Sequence, residues 1–241
     1  MTDVCARLHR IRDQIAQAEQ RYGRKPNSVA LLAVSKGQTL EKLRTAIECE
    51  QRLFGENYVQ EALEKIDSLA NQTLEWHFIG PLQANKTRLV AMHFSWVHSI
   101  DRVKIATRLN NQRPSNLPPL NVCLQVNISG EISKAGVGAD ELIPLAEQVS
   151  VLPRLNLRGV MAIPQASSDH RLQRANFASA RHAFHTLKSL GFALDTLSMG
   201  MSNDMDAAIA EGATLVRIGT AVFGPRPQRL RSAAQAFGRP L

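Results

Sequence analysis

A single lysine stands where an apolar run near the start of the chain ends. Lys36 follows the segment 28–35, whose residues are almost all apolar. An ammonium group at the end of a buried strand is hard to hydrate, and burial or a neighbouring cation would lower its pKa toward the neutral, nucleophilic form. A neutral lysine can form a Schiff base with an aldehyde. On the local sequence alone, however, the favoured interpretation is a lysine that simply begins the polar loop after a core strand.

A second cation lies inside an apolar run near the other end of the chain. Arg217 follows Leu215 and Val216 and precedes Ile218. A charged side chain in such a segment is costly unless it meets a partner or a ligand. We therefore expect Arg217 to point into a site.

The residues around this arginine are suited to an anion. Gly200 and Ser202 precede a predicted helix, and Gly219 and Thr220 follow the last predicted strand. Glycine lets the backbone approach a ligand closely, and hydroxyl groups donate hydrogen bonds to phosphate. Two alternatives stay open, since Ser202 could be only a helix cap and Gly219 only a packing residue.

Apolar strands and amphipathic helices alternate along the whole chain. After an N-terminal helix over 3–22, the pattern predicts strands at 29–35, 52–57, 75–80, 95–100, 120–128, 155–163, 194–199 and 214–223. It predicts intervening helices at 39–50, 59–70, 85–93, 102–112, 139–152, 171–190 and 204–211, so that each strand except the last is followed by a helix. Eight such units favour an α/β fold of the (β/α)8 TIM-barrel type, in which the carboxyl ends of the strands carry the chemistry.

Composition narrows the class of protein. The chain has 241 residues, of which 44% are hydrophobic, and no apolar stretch reaches membrane-spanning length, so we expect a cytoplasmic globular protein. The net charge of +8 favours anionic ligands, but two Trp and two Tyr offer little surface for base stacking, and no specific nucleic-acid binding is expected. Cys5, Cys49 and Cys123 lack paired spacing, which argues against a disulfide framework and against a metal site.

Five segments resemble those of the pyridoxal phosphate homeostasis protein family, over about residues 28–224. They are LLAVSK (31–36), FGENYVQE (54–61), WHFIGPLQ (76–83), LSMGMSNDM (197–205) and RIGT (217–220). The family's members are single barrels similar to the N-terminal domain of alanine racemase. They bind pyridoxal 5'-phosphate (PLP) covalently and are thought to buffer or deliver it.

The resemblance implies a role for each matching residue. Lys36 would hold PLP as a Schiff base, and Arg217 would face the pyridine nitrogen. The residues implied around the phosphate or along the pocket are Asn57, His77, Ser198, Gly200, Ser202, Gly219 and Thr220. For His77, a hydrogen-bonded core histidine is an equally good interpretation. The implied ligands are B6 vitamers, and the implied protein partners are apoenzymes that depend on PLP.

A carrier is favoured over an enzyme. An arginine at the ring nitrogen cannot stabilise a protonated pyridinium, so the ring is a weaker electron sink. Racemisation also needs a second base, which in alanine racemase is a tyrosine supplied through an additional domain, and only 17 residues follow Gly224. Tyr22 and Tyr58 are not evident replacements. A PLP-dependent amino-acid racemase or lyase is the alternative.

The remaining expectations concern organisation. We expect an N-terminal helix over 1–27 that packs on a barrel over 28–224, followed by a basic tail over 225–241, in a monomer. The polar, glycine-bearing loop 129–138 follows strand five and would flank the mouth of the barrel. Within it, Lys134 could contact the cofactor or a recipient, or could be an exposed loop lysine.

Overall fold

Eight parallel strands close into a barrel in the computed structural model, which describes residues 3–128 and 135–225. The strands of the described chain are β1 (Ala30–Val34), β2 (Leu53–Glu56), β3 (Glu75–Phe78), β4 (Trp96–Ile100), β5 (Leu120–Val126), β6 (Leu155–Ala162), β7 (Thr196–Ser198) and β8 (Leu215–Ile218). Each strand pairs with the next, and β8 returns to pair with β1, where Leu32 lies opposite Arg217. The predicted TIM barrel is therefore confirmed.

Helices cover the outside of the barrel. They are α1 (Asp3–Arg21), α2 (Leu40–Glu48), α3 (Val59–Ser68), α4 (Thr87–His93), α5 (Val103–Gln112), α6 (Ala139–Ser150), α7 (His170–Ser189), α8 (Met205–Ala210) and α9 (Thr220–Phe223), and a short 3-10 helix, Ala84–Lys86, precedes α4. The main core lies between the strands and these helices. No helix within the described ranges is long and apolar enough to cross a membrane.

The last strand is shorter than predicted. β8 ends at Ile218, and the residues up to Phe223, expected to continue it, form α9 instead. The expectation that no helix follows the eighth strand is therefore wrong. A short apolar run fits a strand and a buried helix equally well. Here α9 packs against α1, and Val222 and Phe223 join the main core.

The N-terminal helix is fastened to the barrel by its apolar face and by a buried carboxylate. Residues spaced at helical intervals, namely Val4, Leu8, Ile11, Ile15 and Ala18, are buried. At the end of α1, Glu19 is only 3% exposed and accepts hydrogen bonds from the backbone N–H groups of Asn27 and Val29 and from the hydroxyl of Ser28. These bonds join the end of α1 to the start of β1.

The cysteine expectation is wrong for two of the three residues. Cys5 on α1 and Cys49 after α2 form a disulfide, with their Cα atoms 5.7 Å apart. The two residues are 44 positions apart, so only the packing of α1 on α2 brings them together. Cys123 is a buried free thiol, and burial raises its pKa to about 12.

A buried ion cluster holds the loop that follows β1. Lys65 donates to the carbonyl oxygen of Ser35 at 2.7 Å and to Oε1 of Glu56 and of Glu61, at 2.7 and 2.6 Å. The Ser35 hydroxyl donates to Glu56, and the backbone N–H of Gly37 donates to Glu61. Burial raises the pKa of Glu56, while Lys65 opposes that rise. Both neighbours of Lys36 in the chain are therefore bonded to this cluster.

Replacing Lys65 with methionine tests how much the cluster stabilises the barrel. Lys65→Met removes the cation from beside the fully buried Glu56, and breaking a buried pair on one side costs about 3–5 kcal/mol. We expect the free energy of unfolding, measured by urea denaturation, to fall by that amount. The matched control is Lys86→Met, because the Lys86 bond to Gln60 is exposed, and it should change stability by about 0.5 kcal/mol or less. Equal effects of the two variants would contradict the role of the cluster.

Candidate functional site

A cavity of about 1070 Å³ opens at the carboxyl ends of the strands. Its wall is formed by residues at or beyond the carboxyl ends of β1, β2, β3, β6, β7 and β8, as the barrel geometry predicts. The lining residues are Val34, Lys36, Gln38, Asn57, Ile79, Ile163, Ala166, Ser167, Ser168, Gln173, Met201, Ser202, Asn203, Asp204, Arg217, Gly219, Thr220 and Ala221. Two cations, Lys36 and Arg217, and one carboxylate, Asp204, thus face the same space.

Lys36 lies in the cavity wall just beyond β1 and is half-buried. The strand before it is buried from Leu31 to Ser35, and α2 begins only at Leu40. The ion cluster described above holds the backbone on both sides of this lysine. The position of its Cα is therefore determined by β2 and α3 as well as by its own strand.

Arg217 is 4% exposed and belongs to both the core and the cavity. One terminal nitrogen of its guanidinium donates to the Ser198 hydroxyl at 2.8 Å, and the other donates to the carbonyl oxygen of Ala162 at 2.9 Å. Burial lowers the pKa of Arg217 to about 10, an effect that Asp204 partly offsets. The group is still a cation at neutral pH, so the cavity presents a positive charge that the protein holds in place.

Two histidines behind Arg217 continue the hydrogen bonds across the barrel interior. His98 Nδ1 lies 2.8 Å from the Ser198 hydroxyl, and His98 Nε2 lies 2.9 Å from His77 Nδ1. His77 Nε2 lies 2.9 Å from Oε1 of Glu75, at the other end of the strands. Burial lowers the pKa of both histidines, that of His98 well below its usual value.

The anion-binding expectation concerns residues after β7 and β8. Ser202, Gly219 and Thr220 all line the cavity. The N-cap of α8 is Asp204, so Ser202 is not the cap of that helix. The Asp204 carboxylate accepts a hydrogen bond from the backbone N–H of Met201, and burial raises its pKa. Its oxygen is thus engaged by the turn that precedes α8.

Gly200 has a conformational reason to be glycine. Its φ is +97°, and a Cβ at this position would lie 2.6 Å from the Cβ of Ala208. The turn after β7 therefore passes too close to α8 for any side chain. This requirement does not depend on a ligand.

Six of the nine predicted site residues lie in the cavity wall. Within residues 3–128 and 135–225, that wall does not include His77, Ser198 or Gly200. His77 is fully buried with both ring nitrogens paired, which fits the core-histidine alternative. Contact of these three residues with a ligand stays a prediction. Of the predicted loop, 129–134 with Lys134 lies outside the described residues.

Sequence reasoning missed two polar residues of the interior, Glu75 and His98. His98 is a buried polar residue in the middle of an apolar strand, the same signal that identified Arg217. Tyr22 and Tyr58 are not among the described residues that line the cavity. Tyr22 donates to Asp206 at 2.6 Å, and Tyr58 is 61% exposed at the start of α3.

Comparison with known proteins gives a family and a fold. The family described as alanine racemase, N-terminal domain, matches residues 6–227. The proteins named pyridoxal phosphate homeostasis protein from Pseudomonas aeruginosa and from Escherichia coli K12 are each 54% identical to the chain. The matches cover 94% of this chain and 97% and 98% of theirs.

Solved structures agree with this match. PipY from Synechococcus elongatus PCC7942, solved with PLP bound, is 37% identical, with a TM-score of 0.82 over 92% of this chain and 100% of that one. Alanine racemase from Corynebacterium glutamicum is 17% identical, with a TM-score of 0.65 over 90% of this chain and 61% of that one, and shares the fold. The chain therefore belongs to the pyridoxal phosphate homeostasis protein family, whose barrel is the alanine racemase N-terminal domain.

Proposed function

We propose that the chain binds PLP in this cavity, holds it covalently on Lys36, and buffers it or delivers it to apoenzymes that depend on it. The observation that carries the proposal is the placement of Lys36 and Arg217 in the wall of one cavity at the carboxyl ends of the strands. The names of the relatives and the PLP-bound PipY structure support the choice of ligand. We also infer that the chain acts as a cytoplasmic monomer.

The residues of the cavity suit the three functional groups of PLP. The Lys36 amine can condense with an aldehyde, with loss of water, to give a C=N bond. The hydroxyls of Ser202 and Thr220 can donate to phosphate, and the absence of a side chain at Gly219 leaves room beside them. The cationic Arg217 can donate to an unprotonated pyridine nitrogen.

One polar group of the wall is left for a ligand. Oδ1 of Asn57 is buried and has no hydrogen-bond partner among the described residues. A buried acceptor without a donor costs about 1–3 kcal/mol. A ligand group that donates to this oxygen would recover that energy, which supports the predicted role of Asn57 in binding.

The site supports binding better than turnover. PLP, when bound, supplies an electrophilic carbon and a ring that withdraws electrons. Proton transfer at an amino acid would need a base on each face of the reacting carbon. In the described part of the chain, neither tyrosine lines the cavity. With a pKa of about 10, the Arg217 guanidinium is too weak an acid to give up a proton at neutral pH. We therefore propose a carrier, with a racemase or lyase as the alternative.

Covalent trapping tests the attachment to Lys36. The wild-type protein incubated with PLP should be yellow, and borohydride reduction should leave one pyridoxyl phosphate on Lys36, located by mass spectrometry of peptides. Lys36→Ala should lose the trapped label. The control is Lys86→Ala, since Lys86 donates to Gln60 on the surface, outside the cavity wall, and should leave trapping unchanged. Label on another residue, or no label in the wild type, would refute the attachment.

Solvent deuterium separates a carrier from an enzyme. The loaded protein is incubated with single enantiomers of amino acids in D₂O, and the α-carbon is examined by mass spectrometry, with free PLP as the blank. We expect no deuterium above the blank, because the Asp204 carboxylate of the cavity wall is bonded to the Met201 N–H and, among the described residues, neither tyrosine lines the cavity. Incorporation, or inversion of the enantiomer, would support the racemase or lyase alternative.

Delivery of PLP to an apoenzyme is tested by a separate measurement. The loaded protein is mixed with an apoenzyme that depends on PLP, and the return of that enzyme's activity is followed with time. We expect activity to return, at a rate limited by release from Lys36. If the apoenzyme stays inactive while free PLP restores it, the protein stores the cofactor without delivering it.

A further inference from the structure

We propose that Glu75, His77 and His98 are positioning residues, which orient the Arg217 guanidinium toward the cavity through a one-way chain of hydrogen bonds that ends at Ser198. The chain passes through side chains of β3, β4, β7 and β8, so it crosses the interior of the barrel. The proposal rests on the proposed function, because it assigns a role to residues that support the cation of the cofactor site.

The direction in which these hydrogen bonds donate follows from the chemistry of the two end residues, Arg217 and Glu75. A guanidinium can only donate, so the Ser198 oxygen accepts from Arg217. An ionised carboxylate can only accept, so Glu75 accepts from Nε2–H of His77. The hydrogen bond with His77 lowers the pKa of Glu75, which keeps the carboxylate ionised.

The donor and acceptor roles of the two histidines between these ends follow from the roles of Arg217 and Glu75. His77 uses its Nε2 proton on Glu75, so a neutral His77 accepts at Nδ1 from Nε2–H of His98. His98 in turn accepts at Nδ1 from the Ser198 hydroxyl. Every bond donates from the cavity end toward Glu75, and both rings are neutral with the proton on Nε2.

If the hydrogen bonds donated in the opposite direction, the proton of the Ser198 hydroxyl would have no acceptor. If both rings carried the proton on Nδ1, His98 would donate to Ser198, which already accepts from Arg217. The Ser198 hydroxyl would then have to turn its own proton away from both partners, and the unprotonated Nε2 of His77 would face a carboxylate. Glu75 therefore selects the direction from the far end of the barrel.

Packing and neighbouring charges keep the rings in place and neutral. His77 stacks on Trp96, with centroids 5.2 Å apart and ring planes 8° apart. The other titratable or charged groups that act on the five bonded side chains are Arg158, which acts on Glu75, and Asp204 and Cys123, which act on Arg217. Burial lowers the pKa of both histidines, which opposes a second proton on either ring.

The first test needs no cofactor. Histidine side-chain ¹⁵N NMR of the unloaded wild-type protein should show His77 and His98 as neutral Nε2–H tautomers that stay neutral as the pH falls through about 6.5, the usual pKa of histidine. Assignment uses His77→Gln and His98→Gln. An Nδ1–H tautomer in either ring, or a doubly protonated ring at neutral pH, would overturn the proposal.

The second test changes only Glu75, the residue at the far end of the hydrogen-bond chain. Glu75→Leu removes the acceptor for His77, whereas Glu75→Gln keeps an acceptor oxygen of similar shape. The matched control is Asp195→Leu, which removes a carboxylate that is bonded to Arg158 and not to a histidine. The side chains of Glu75 and Asp195 are 45% and 55% exposed, so both variants should fold.

We expect Glu75→Leu to speed proton exchange of the Arg217 guanidinium, to weaken PLP binding by about five- to thirty-fold, and to shift the absorption band of the bound cofactor. Glu75→Gln should restore most of each change, and Asp195→Leu should match the wild type. Equal effects of Glu75→Leu and Asp195→Leu, or no rescue by Glu75→Gln, would overturn the relay.

The two proposals fail separately. If the wild type binds no PLP while the tautomers and the Arg217 exchange behave as expected, the proposed function fails and the positioning relay stands. If PLP binds but the tautomers are reversed, the relay fails and the cofactor site stands.

Discussion

Arg217 carries a positive charge inside a closed barrel, where its side chain is almost completely removed from water. The protein must replace the lost hydration, and it does so with the Ser198 hydroxyl and the carbonyl oxygen of Ala162. The strands that supply these two groups, β7 and β6, lie next to β8 in turn around the barrel, so the geometry at the cation depends on barrel closure. The histidines behind Ser198 are a second consequence, because a buried hydroxyl also needs an acceptor for its own proton.

A second buried charge system lies beside β1 and β2, the two strands that follow β8 around the barrel. Lys65 is surrounded by Glu56, Glu61 and the carbonyl oxygen of Ser35, and the backbone of Gly37 is bonded to the same cluster. The two systems hold different kinds of group. The first holds a side chain, Arg217, while the second holds the backbone on either side of Lys36. Because the backbone on either side of Lys36 is held, the start of its side chain has a defined position in the cavity wall.

Much of the site could be predicted because its residues stand at strand ends. Lys36 and Asn57 stand where an apolar strand stops and so face the mouth of a barrel, whereas Arg217 was predicted because it interrupts an apolar run. His98 gives the same signal as Arg217 more weakly, because burying a neutral imidazole costs less than burying a charge, and it was not found. Sequence reasoning also did not find the pairing of Cys5 with Cys49, or the helix after β8, since both depend on the packing of α1 against distant parts of the chain.

The alternation of strands and helices, and the residue types at the strand ends, were determined by the sequence by itself. Both are local properties, since hydrophobic periodicity and residue chemistry can be read within a few positions. Tertiary structure alone decided which side chains share a wall and which lie behind it. Lys36 and Arg217, 181 positions apart, meet the same cavity because β1 pairs with β8 when the barrel closes. His77 lies in the barrel interior, where His98 of the neighbouring strand β4 and Glu75 of its own strand lie within hydrogen-bonding distance of its two ring nitrogens.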